Sequence, residues 1–267
     1  MSVEWNDIFR LPSASLARRR VPKAALLRNA HLTRLEQRAL DKVSFIEHWA
    51  TVQKSSTRIP PHVDEERDIQ AVVFLRCELT GRSAAYVELA RVIHPCFPNP
   101  TVLLFENGGE VCLSCAVTRM SQAERGATVV EDVTSTGGFD PADPLYASLL
   151  ADLALDRMPQ GDLYEYVREL SWLLRLGRLT GSLDFYPSCA PAQRVRLLEL
   201  SSERDELVAR RNAIAEQRRS RDLTLNETAK LRMEQREIEK EFGQTLDKIK
   251  GICLPSGGMD SDLPFAR

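Results

Sequence analysis

Long apolar runs are missing from this chain. No stretch approaches the roughly 18 apolar residues that a membrane span needs. The opening MSVEWNDIFRLPSASLARRR has no apolar core leading to a cleavage site, so no secretory leader is expected. Cysteine is sparse, and six in 267 residues are too few for a disulfide framework. These absences predict a reducing, cytoplasmic setting and no membrane partner. Net charge is nearly absent as well. At −2, the whole molecule offers no electrostatic case for nucleic acid or anionic lipid, so any such case rests on a local patch.

The composition that remains is 43% hydrophobic and 28% charged, ordinary for a globular protein. The length allows one large domain or two small ones. Residues 1–42 read as a basic N-terminal arm and helix, with nine cations against four anions. Phe9, Leu11 and Pro12 suggest an extended arm docked on the body. Pro22 suits the first turn of a helix, where a missing N–H costs nothing. Helical spacing follows through Ala25, Leu26, His31 and Leu35.

Residues 43–140 read as an α+β domain with a mixed or antiparallel sheet in ββαβββ order. Strands are expected from Val43 to Val52, over 69–79, over 101–106 and 110–119, and over 128–134. Pro60-Pro61 and the acids at 64–66 read as a connection, and Gly81 as a break. Ser83 is a candidate cap for a helix running to about His94. Asn107-Gly108-Gly109 between two apolar runs is a hairpin signal, because these residues tolerate positive φ.

Residues 141–190 read as a helical connector. One helix opens at Asp143-Pro144 and runs to about Leu155, and a second spans about 162–176, with Gly177 and Gly181 marking a loop. Residues 191–253 read as an antiparallel helical hairpin. Residues 192–250 contain no proline and one glycine, Gly243. Leu197, Leu200, Leu207 and Ile214 lie at three- and seven-residue steps, with Arg204 and Arg211 at intervening seam positions. Leu231, Ile238, Phe242, Leu246 and Ile249 supply the second helix. Residues 254–267, rich in Ser, Gly and Asp, read as a disordered tail.

Several chemistries find no motif. Cys112 and Cys115 have C-x-x-C spacing, but residues three apart in a strand face opposite sides, and no second pair exists. Buried structural thiols are expected there, with no metal site and no cofactor. His31, His48, His62 and His94 form no H-E-x-x-H arrangement. The paired glycines lack the Lys-Ser or Lys-Thr of a phosphate loop. A metal-dependent nuclease would need converging carboxylates. Asp68, Glu78 and Glu106, with Glu131 and Asp132, lie at strand ends, but no Glu-x-Lys pair accompanies them.

Two features suit binding. Arg18-Arg19-Arg20 with Lys23 can neutralise phosphates without reading sequence, although no aromatic-rich platform lies nearby. The hairpin, through Leu200, Leu207, Ile214, Leu231 and Ile238, either packs against the chain's own sheet or its helices at 142–176, or projects as an arm that docks a partner or a second copy.

The order of elements and the local wording carry a resemblance. An IFRLP opening leads to a basic stretch ending in Val21-Pro22-Lys23, then IQAVVFLRCEL, a short helix, TVLLFENGGEVCLSCAV and a charged helical pair. Over about residues 8–250 this resembles the prokaryotic family catalogued as domain of unknown function 4391. The chain departs from it by its Gly/Ser/Asp tail and its mixed-charge hairpin. The resemblance implies a genomic context of DNA helicases and DNA methyltransferases in restriction-like or antiviral islands, and it carries over no catalytic residues. The resulting expectation is a non-enzymatic accessory or scaffold subunit that holds a helicase or methyltransferase and touches DNA through its arm. The alternatives are a divergent metal-dependent nuclease using Asp68, Glu78 and Glu106, and a self-associating protein without a DNA role. Oligomeric state is not legible.

Overall fold

The computed structural model describes residues 3–29, 32–81, 85–124, 127–219 and 224–255. Ser83, His31 and the tail beyond residue 255 lie outside them. The chain divides into two units, Met1–Arg178 and Leu179–Arg267.

The first unit begins with helix α1 (Trp5–Phe9), closed by Arg10 in the left-handed region at φ 49°. The basic stretch that reads as a docked arm is an edge strand, β1 (Leu16–Arg20). It is a strand because its partner β2 (Val43–Val52) offers a free backbone ladder, which the local sequence does not reveal. The helical pattern after Pro22 splits into α2 (Lys23–Asn29) and α3 (Arg34–Asp41). Thr33 starts α3 with a capping box. Its hydroxyl accepts from the Glu36 N–H, and the Glu36 carboxylate accepts from the Thr33 N–H.

After β2 come a short α4 (Lys54–Thr57) and a two-strand ribbon, β3 (His62–Val63) with β4 (Asp68–Ile69). That ribbon occupies what reads as a plain connection. β5 (Val72–Leu79) then leads through α5 (Tyr86–Ile93) to β6 (Thr101–Asn107), β7 (Glu110–Met120) and β8 (Thr128–Ser135). Gly108 and Gly109 make the β6–β7 turn with φ of 61° and 101°, and Asn107 pairs with Glu110.

The sheet order is β1-β2-β5-β6-β7-β8. Every neighbouring pair is antiparallel except β5 and β6, which are parallel because α5 carries the chain back across the sheet. The fold is α+β with a mixed sheet, as the sequence pattern predicts, with β1 added at the edge.

Each face of the sheet is covered. One buries Ile46, Leu75, Cys77, Leu103, Phe105 and Cys112 against Leu40 of α3 and Leu89 and Ile93 of α5. On the other, α1 lays Phe9 on Phe74 and Trp49, with ring centroids 5.1 and 5.9 Å apart.

Pro144–Tyr146 is a tight 3-10 turn, and α6 (Ala147–Asp152) ends short of Leu155. α7 (Leu163–Leu183) continues through the two glycines that read as a loop. Gly177 is there for close packing. A Cβ at this position would lie 2.6 Å from Leu149 Cδ2 and 3.1 Å from Thr136 Cγ2. No described helix is long and apolar enough to cross a membrane.

The second unit holds the ribbon β9 (Pro187–Ser188) with β10 (Leu254–Pro255), and the helices α8 (Arg194–Gln217) and α9 (Leu225–Ile252), which pack together. α9 opens with the same capping device as α3, here Thr224 with Glu227.

Candidate functional site

The basic triplet sits on the outermost strand. Among the described residues β1 pairs with β2 alone, which places it at the edge of the sheet. The register sets Arg19 opposite His48 and Arg20 opposite Glu47, and it shifts between Leu16 and Arg19. Arg18 fills this bulge in the left-handed region at φ 47°. Arg18, Arg19 and Arg20 are all exposed. Successive strand side chains alternate in direction. Arg20 therefore lies over the Phe45 ring, 5.9 Å from its centroid, while Arg19 lies on the His48 side and helps to depress that imidazole. The larger cause of the His48 shift is burial. The triplet thus wraps the sheet edge instead of lining one face. Lys23, half-buried, starts α2 just beyond it.

The strand-end carboxylates divide. Glu78 and Glu106 are direct neighbours across the parallel β5–β6 pair. Arg76 holds both. Its Nε donates to Glu106 Oε1 at 2.7 Å and its Nη2 to Glu106 Oε2 at 3.0 Å and Glu78 Oε1 at 2.7 Å. Glu47 lies 3.9 Å from the same guanidinium, and Trp5 Nε1 donates to Glu106 Oε1 at 2.6 Å. A guanidinium planted among the oxygens competes directly with a metal for them. Asp68 is exposed on β4 and accepts from Gln70 at 2.6 Å. Glu131 is taken by Arg67 at 2.9 Å, and Asp132 by Arg175 at 3.4 Å. Among the described residues, no group of three or more His, Cys, Asp or Glu is placed to hold a metal ion.

His94 is fully buried between β6 and β7. Ser114 Oγ donates to the Thr134 carbonyl at 3.0 Å, so it accepts from His94 Nε2–H at 2.9 Å. Nδ1 is then the acceptor for the Thr101 hydroxyl. Burial drives the His94 pKa down to about 3, so the ring is neutral. Ser114 has spent its proton on a backbone carbonyl, which leaves the pair a satisfied core network with no free nucleophile. Cys112 and Cys115 are both buried, and Cys112 lies 3.1 Å from Ser135 Oγ.

One polar network is not apparent in the sequence. His62 bridges two carboxylates, with Nδ1 2.8 Å from Asp162 and Nε2 2.8 Å from Asp64. The bond to Asp64, then that to Asp162, raises the His62 pKa. Asp162 also caps α7 by accepting from the N–H groups of Tyr164 and Glu165. Arg67 completes the network, its guanidinium 4.6 Å from the Tyr164 ring centroid. Asp162 ahead of Leu163 is readable as a cap, but nothing local ties it to a histidine 100 residues away.

The hairpin residues Leu200, Leu207, Ile214, Leu231 and Ile238 are buried, at 9% exposure or less. The last four form one cluster with Phe242 packed against it. They face one another, so a partner would meet the outer faces of the helices and not this seam. The seam arginines have local partners. Arg204 donates to Ser182 Oγ at 2.7 Å and Asp205 at 2.8 Å, and Arg211 lies 5.5 Å from the Phe242 ring centroid.

No curated protein and no solved structure matches this chain. One family model spans residues 9–242, from the Phe9 aromatic anchor through the hairpin cluster to Phe242, and the chain belongs to the family described as Domain of unknown function (DUF4391).

Proposed function

We propose that this protein is a non-enzymatic accessory subunit of a DNA-directed defence or restriction-like system. It holds a DNA helicase or DNA methyltransferase through its helical hairpin and touches DNA with Arg18, Arg19, Arg20 and Lys23. The observation that carries this reading is the exposed arginine triplet on the edge strand of the sheet, splayed by the bulge at Arg18. A splayed set of guanidiniums suits phosphate contact, which needs charge and reach but no base-specific geometry. The ion pairs around Glu78 and Glu106 support a binding role over the nuclease alternative, because Arg76 already occupies those oxygens. The helicase or methyltransferase rests on the genomic context that the family resemblance implies.

The test is an affinity pull-down from the native host, with and without nuclease, read by mass spectrometry. A helicase or methyltransferase recovered in both conditions supports a protein-held subunit. Recovery of neither overturns it. The DNA arm is tested with the Arg18→Ala/Arg19→Ala/Arg20→Ala variant on duplex DNA. Each lost phosphate contact removes about 0.9 from the slope of log K against log salt, so the variant should lose roughly 2 to 3. An unchanged slope removes the arm from the proposal.

A further inference from the structure

Cys189 and Cys253 flank the short ribbon at the base of the hairpin. In that ribbon Ser188 is paired with Leu254 and Pro187 with Pro255, antiparallel. One more step in this register sets Cys189 opposite Cys253. Cys253 follows α9 in an extended conformation, φ −99° and ψ 140°, which continues the ladder. The two thiols are near enough that charge on Cys189 adds to the effect of burial in raising the Cys253 pKa. Directly opposed residues in an antiparallel pair have Cα atoms about 4.5 or 5.5 Å apart, and a disulfide accepts about 4.4–6.8 Å.

The remaining cysteines make this pair distinct. Cys77, Cys96, Cys112 and Cys115 are all buried in the first unit, and Cys189 alone of the six is partly open. Arg194, at the start of α8, counteracts the burial that raises the Cys189 pKa. An accessible thiol beside a cation, with a second thiol across the ladder, is the arrangement of an attacking and a resolving cysteine.

We propose that Cys189 and Cys253 form a reversible disulfide that staples the base of the α8–α9 hairpin when the cell is oxidised. The oxidant is a low-molecular-weight disulfide. The Cys189 thiolate attacks one of its sulfurs, forms a mixed disulfide and releases one thiolate. The Cys253 sulfur, after losing its proton to solvent, then attacks Cys189 Sγ and expels the second. Two protein thiols are oxidised to one disulfide, and one small disulfide is reduced to two thiols. The new bond ties together two points 64 residues apart in sequence, with both long helices between them.

The experiment uses the reduced full chain, treated under native conditions with oxidised glutathione. Free thiols are then alkylated, and the protein is digested without reductant and mapped by mass spectrometry. The expected product is one linked peptide joining Cys189 to Cys253, with the four buried cysteines unmodified until the protein is unfolded. Cys253→Ser should stop at a glutathione adduct on Cys189, and Cys189→Ser should give no product. In the oxidised wild type, amide exchange in the last turn of α9 should slow by roughly tenfold or more. A wild type that halts at the mixed disulfide, a linkage through any other cysteine, or unchanged exchange would overturn the proposal. The wild-type map needs no variant to fold.

Discussion

The sheet body and the helical hairpin are stabilised by different amounts of apolar packing. One core cluster of the body holds fifteen buried residues on one face of the sheet, and an aromatic set packs the opposite face. In the hairpin one cluster joins Leu207, Ile214, Leu231 and Ile238 with Phe242, Leu197, Leu200 and Ile249 are further buried apolar residues among those described, and the outer faces are dense in charge. Hydrophobic stabilisation scales with the area removed from water, so the hairpin depends more heavily on each residue it buries. The body can spread a local loss over many neighbours, whereas the hairpin has few to share it.

The largest expected effect therefore belongs to the seam. Leu207→Asp places a charge at a site only 4% exposed, and it should cost about 4 kcal/mol or more. Far-UV circular dichroism should report lost helix, while near-UV signal from Trp49 and its neighbours persists. Phe9→Ala is the matching change in the body. It empties a fully buried site against Phe74 and should cost about 3–5 kcal/mol, with one lowered transition on heating. If the seam variant instead removes both signals together, the two regions melt as one and the comparison fails.

A second contrast lies within the body, between two histidines of opposite sign. His94 is held neutral, its pKa driven from 6.5 down to about 3 by burial. The unfolded chain binds that proton below pH 6.5 and the folded chain does not. Stability is therefore intact above 6.5 and falls by about 1.4 kcal/mol per pH unit on acidification towards 3. His62 is raised by its bonds to Asp64 and Asp162. Its contribution is present below 6.5 and disappears as pH rises through its folded pKa. Denaturation midpoints of wild type and His62→Gln should thus converge above that pKa and separate below it. A constant gap across the range would sink the clamp.

The smallest effect tests the helix start. Thr224→Ala removes half of the α9 capping box and should cost about 1 kcal/mol, seen as faster amide exchange in the first turn alone. Faster exchange extending down to Ile238 would mean that this half of α9 opens as one cooperative unit and does not merely fray at its end.

Much of the strand order is legible because apolar, β-branched runs bounded by Gly and Pro mark strands locally. The β6–β7 turn is legible because Gly108 and Gly109 supply the positive φ it needs. The place of β1 is not, because a basic strand is defined by the ladder it joins. The persistence of α7 through Gly177 is also hidden, since the reason is Leu149 packing close by. At the candidate sites, the arginine triplet is visible by composition, but its splay depends on the bulge at Arg18. The carboxylates are visible one by one, and Arg76 as their shared partner is not.

Sequence alone thus determined the α+β class, the long charged helical pair, the exposed basic triplet and the family, because period, turn chemistry and charge are local properties. Only the tertiary structure decided which carboxylates are ion-paired, which histidine is held neutral, and which two of six cysteines flank one ribbon. Those outcomes depend on residues tens to a hundred positions apart, brought together by strand register and packing.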